Sequence, residues 1–136
     1  MSALIRVLYP LPAPERTATA LLKWWERRRL PFNLAVGAAG LTSLAVVNLL
    51  GALPPNGRSF GVPLGGIIAY AVLANLCFTG GWVVETAVAR LWRDQVRPQG
   101  PVLFRQGMIF GVGLSLLPVV LAGVEWVVRV IGAILR

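Results

Sequence analysis

The chain has 136 residues, 57% of them apolar and only 13% charged, with a formal net charge of +8. A soluble domain carries roughly 45–50% apolar and about 25% charged residues, so a chain of this size cannot hide so much apolar surface from water. The composition excludes an ordinary soluble globule. With no histidine, one cysteine and five acids, it also removes most catalytic and metal-binding chemistry.

Met1 to Pro14 holds three prolines and a short apolar stretch broken by Arg6. No small-residue cleavage site follows, which argues against a secretory signal and for a stiff lead-in. From Glu15 to Leu30 the pattern becomes helical. Arg16, Thr19, Lys23, Glu26 and Arg27 share one face, and Ala18, Leu21, Leu22 and Trp25 the opposite one. A basic amphipathic helix with two tryptophans fits an element lying in the bilayer interface, anchored by Trp24, Trp25, Arg27, Arg28 and Arg29. Pro31 is expected to end it, because proline disfavours helical geometry at the preceding residue.

Phe32 to Leu53 is 22 residues without a charge, about 33 Å as a helix and enough to cross a ~30 Å hydrocarbon core. Pro54-Pro55-Asn56-Gly57 makes a turn. A second span is expected from Leu64 to about Ala89, and the polar stretch Arg93 to Pro101 forms a loop. The third span runs from about Val102 to Ala122. Over 123–136, Glu125, Arg129, Gly132 and Arg136 share one face, so a second interfacial helix is expected after a bend at Pro118 or Gly123. The alternative is a short fourth span over Val119 to Leu135. The predicted fold is thus an all-α integral membrane protein: 1–31 lead-in and interfacial helix, 32–122 three-span bundle, 123–136 interfacial C-terminal helix.

Six of the 13 basic residues precede the first span and four (Arg90, Arg93, Arg97 and Arg105) lie between the second and third or at the start of the third, leaving Arg58, Arg129 and Arg136 elsewhere. Positive loops stay in the cytoplasm, which places the N-terminus inside and the C-terminus outside. The charges flank apolar runs rather than lining one surface, so nucleic acid is not an expected partner. Cys77 lies within an apolar run and reads as a small hydrophobe.

Polar residues inside spans are the candidates for function. Counted from the outer ends of the first two spans, Asn48 and Tyr70 share a depth, as do Thr42/Ser43 and Asn75, which would let them bond between helices. Glu85 is the one acid close to the membrane core. It reads as an interfacial ion pair near Arg90 and Arg105, and alternatively as the carboxylate of a proton-coupled carrier. Gly107, Gly111 and Ser115 form a small-residue seam on the third span, and Ala35, Ala39 and Ser43 a similar one on the first; such seams let helix backbones approach closely. No catalytic triad, phosphate loop, metal site or cofactor site is legible, so an enzyme is not expected.

The stretch Trp24-Trp25-Glu26-Arg27-Arg28-Arg29-Leu30-Pro31-Phe32-Asn33-Leu34-Ala35-Val36-Gly37 resembles one in small, uncharacterised bacterial multi-span membrane proteins. The resemblance implies bacterial origin and supplies no activity; the expected location is then the bacterial inner membrane. The sequence reading is a non-catalytic accessory, scaffolding or assembly subunit whose partners are the lipid bilayer and other membrane-protein subunits or further copies of itself. The alternative is a small oligomeric transporter or channel using Asn48, Asn75 and Glu85.

Overall fold

The computed structural model describes residues 17–55, 57, 61, 63–92 and 99–135. The proline-rich lead-in over 1–14, most of the connection over 56–62 and the polar loop over 93–98 lie outside the described residues. Three helices follow in order: α1 (Ala18–Ala52), α2 (Leu64–Trp92) and α3 (Gly100–Ile134). All three are long and apolar enough to cross a membrane.

α1 begins at Thr17, whose hydroxyl accepts from the Ala20 amide and satisfies one of the orphan donors of the first turn. It then runs straight through Pro31. The expected interfacial helix over 15–30 and the first span are therefore one element of 35 residues. Tertiary packing explains the difference. Trp24 and Trp25 before the proline, and Phe32 and Val36 after it, belong to the same buried cluster. Burying four large side chains outweighs the ~3 kcal/mol that a helix-interior proline costs.

The C-terminal expectation is corrected in the same way. α3 continues through Pro118 and Gly123 to Ile134 without a separate interfacial helix. Its last turns are engaged rather than free: the Trp126 indole donates to the Pro54 carbonyl at 3.1 Å, and Arg129 donates to the Leu50 carbonyl at 2.7 Å. Those contacts hold the end of α3 against the end of α1 and favour one continuous axis.

α1 and α3 are parallel and packed along their length. Trp24 meets Phe104 edge-on, Phe32 and Val36 lie against Gly111, and Gly51 lies beside Arg129. α2 is antiparallel to both, with Glu85 beside Trp25, Phe78 beside Phe32, and Tyr70 beside Ser115. Past Tyr70, residues 64–69 of α2 are exposed, so α2 is embraced only at the Trp25 end of the bundle. From Trp25 to Gly51 the helical rise is about 40 Å, close to the ~40–45 Å of a bilayer with its headgroups.

Candidate functional site

The core is aromatic and concentrated at one end. Trp24, Trp25, Phe32, Phe78, Phe104 and Met108 are buried together, with ring centroids 5.0–6.5 Å apart in mostly edge-to-face arrangements. Such pairs gain about 0.5–1.5 kcal/mol beyond area burial. Trp24 and Trp25 were expected at the lipid interface; the bundle encloses them instead, Trp25 to 2% exposure. Arg28 stacks its guanidinium 3.8 Å over the Trp24 ring and donates to the Trp24 carbonyl, Arg27 is exposed, and Arg29 turns toward α2.

At the base of this cluster Glu85 is buried, only 5% exposed. Its Oε2 accepts from the Trp25 indole N–H at 2.6 Å, and its Oε1 from the Gly100 backbone N–H at 2.8 Å. Arginines were expected on this carboxylate; an indole and a backbone amide provide its hydrogen bonds instead. The reason is geometric. Gly100 opens α3, where the first amides have no helical acceptor and the helix dipole is positive, so a carboxylate is favoured there. A Cβ at Gly100 would sit 2.5 Å from Glu85 Oε2, and one at Gly81 would sit 2.8 Å from the Trp25 ring. Two glycines thus admit the carboxylate and the indole to a contact that joins all three helices.

A second polar group lies between α1 and α2. Arg29 is paired with Glu26 at 2.7 Å and also donates to Asn75 Oδ1 and Thr79 Oγ1, each at 3.2 Å. Asn33 and Asn75 exchange amide bonds at 3.2 and 3.3 Å. A groove of about 470 Å³ opens beside them, lined by Arg29, Ala71, Val72, Asn75, Leu76 and Thr79. Farther along, the Tyr70 hydroxyl bonds Ser115 Oγ at 2.8 Å and the Gly111 carbonyl at 3.1 Å.

The predicted depth pairs do not form. Asn48 donates to the Leu44 carbonyl and Thr42 to the Ala38 carbonyl, both within α1. The register of α1 on α2 is displaced by about 13 Å from that expectation, because α1 extends well before the first uncharged residue and meets α2 through that extension. Of the predicted seams, Gly111, Ser115 and Ser43 are buried and Ala35 and Ala39 half-buried, but Gly107 is exposed with open space around it. The buried face of α3 is Phe104, Met108, Gly111 and Ser115. The sequence reading did not single out Gly81, Gly100, Phe78 or Phe104. Nor did it pair Asn33, whose amide meets Asn75. Among the described residues no three metal-ligating side chains converge.

No protein-family model, curated protein or solved structure matches the chain.

Proposed function

We propose that the protein is a non-catalytic, multi-pass subunit that packs against other membrane helices, with its N-terminus cytoplasmic and its C-terminus external. One observation carries the reading: the intramembrane polar residues Asn48, Tyr70, Asn75 and Glu85 each have a bonding partner within the bundle. Asn48 uses its own helix, Asn75 uses Asn33 and Arg29, Tyr70 uses Ser115, and Glu85 uses Trp25 and Gly100. Among the described residues, the buried cluster at the Trp25 end is made of aromatic and aliphatic side chains. A carrier needs a group left free to exchange its cargo; these are structural ties.

The outward apolar faces are where lipid or partner helices would pack. Leu73, Val84 and Leu91 on α2, and Ile109 and Phe110 on α3, are each about half exposed or more. The bacterial setting rests on the resemblance of the Trp24–Gly37 stretch, and the orientation on the distribution of basic residues.

Photo-crosslinking tests the reading. A photoreactive residue at Leu73 or Phe110 should give a stoichiometric adduct with one discrete membrane protein, or with a second copy of the chain. Purified protein in liposomes with a pH-sensitive dye should carry no proton flux. Adducts with lipid alone at both positions, together with flux, would overturn it. A reporter at Met1 should be cytoplasmic and one at Arg136 external; both on one side would reject three spans.

A further inference from the structure

The groove between α1 and α2 opens onto the lipid-facing surface. It is polar at one end and apolar along its wall, and its occupant follows from charge and depth. We infer that it seats a phospholipid whose headgroup carries a primary ammonium beside its phosphate, in the leaflet at the Trp25 end.

Depth comes first. The groove runs along α2 from Thr79 to Ala71, about 12 Å of rise, against about 15 Å for one leaflet's share of the hydrocarbon core. Its polar end is the end nearer Glu85 and Trp25. An acyl chain lying on Ala71, Val72 and Leu76 would therefore bring its headgroup to Arg29. Val72 and Leu76 are 55% and 62% exposed, so this wall is open to lipid.

Charge decides the headgroup. Arg29 alone would attract any phosphate. Glu26 is held on it through two parallel bonds, at 2.7 and 2.8 Å, so the mouth of the groove shows both signs one turn apart. A headgroup of net negative charge meets Arg29 and is repelled by Glu26. A quaternary ammonium has no N–H to give Glu26. A primary ammonium donates to the carboxylate while the adjacent phosphate takes a guanidinium N–H, matching both charges.

The test uses the full-length protein in nanodiscs containing equal parts phosphatidylethanolamine, phosphatidylglycerol and phosphatidylcholine. The lipids that stay bound after extraction are read by native mass spectrometry. Phosphatidylethanolamine should be retained preferentially. Arg29→Gln should lower its retention about tenfold or more, and Glu26→Gln should shift the preference to phosphatidylglycerol, because the repelling carboxylate is gone and Arg29 is freed. Leu76→Trp fills the groove without touching the charges and should abolish retention even if Arg29→Gln fails to fold. Arg27→Gln, on an exposed face away from the groove, should leave the pattern unchanged. Equal retention of the three lipids, a pattern indifferent to Glu26→Gln, or full competition by soluble phosphoethanolamine would overturn the inference. Loss of the partner adducts at Leu73 and Phe110 would not, since those positions lie outside the groove.

Discussion

At Glu85 both carboxylate oxygens receive an N–H, one from Trp25 and one from Gly100. Glutamine keeps the size but replaces one acceptor with an NH₂ donor, which must then face an N–H. Leaving a buried donor unmatched costs about 1–3 kcal/mol, so Glu85→Gln should lower the melting temperature of the detergent-purified protein clearly. Glu125→Gln, at an exposed position, should leave it within error; equal melting of the two variants would show that the contact carries no stability. Trp25→Phe should act in the same direction as Glu85→Gln by orphaning Oε2. That Glu85 lies close to a membrane core was legible in the sequence. Its partners were not: Trp25 is 60 residues away, and a backbone amide at a helix start has no residue-type signature.

Helix existence was legible because long uncharged runs have one stable form in a bilayer, with every backbone group bonded internally. Helix ends were not, since Pro31 reads locally as a stop and only the rings on either side of it keep α1 continuous. The seam shows the same division. Small residues at helical spacing marked α3 as a packing helix, but which of them face α1 depends on rotation about the axis, which Phe104 and Met108 set. Substitution separates the two classes. Gly111→Leu should weaken the fold by several kcal/mol, because a Cβ there already lies 3.1 Å from Val36 Cγ2 and overpacking alone costs about 1–3 kcal/mol. Gly107→Leu, in open space, should be neutral or stabilising. On α2 the pair is sharper, the positions being adjacent. Gly81→Ala meets the Trp25 ring at 2.8 Å while Gly80→Ala meets nothing. Gly80→Ala should therefore gain up to about 1 kcal/mol of helix propensity and Gly81→Ala should lose stability. Chemical or thermal unfolding in detergent reads both pairs, and identical behaviour within either pair would reject this packing.

Across the whole molecule, the parallel pair α1 and α3 has a charged side chain at each end of the bundle, and each sits where a helix dipole favours it. Glu85 meets the amide end of α3, and Arg129 meets the carbonyl end of α1, donating to Leu50 at 2.7 Å and to Gly51 and Pro55 at 3.4 Å. The last carbonyls of a helix have no internal acceptor role, and a cation there is worth up to about 2 kcal/mol when partly buried. α2 does not brace this end, since residues 64–69 are exposed. Arg129 and Trp126 therefore hold the ends of α1 and α3 together where the third helix does not. If so, Arg129→Gln should act locally. Amide exchange should rise at Leu49 to Leu53, including the Leu53 N–H that bonds the Leu49 carbonyl at 3.2 Å, while exchange around Trp25, Phe32 and Phe104 stays as in the parent. Local opening draws on the least-buttressed part of a fold, and here that part is the end where residues 64–69 of α2 are exposed. Uniform acceleration across all three helices would mean that the two ends are one cooperative unit and that Arg129 supports the bundle as a whole.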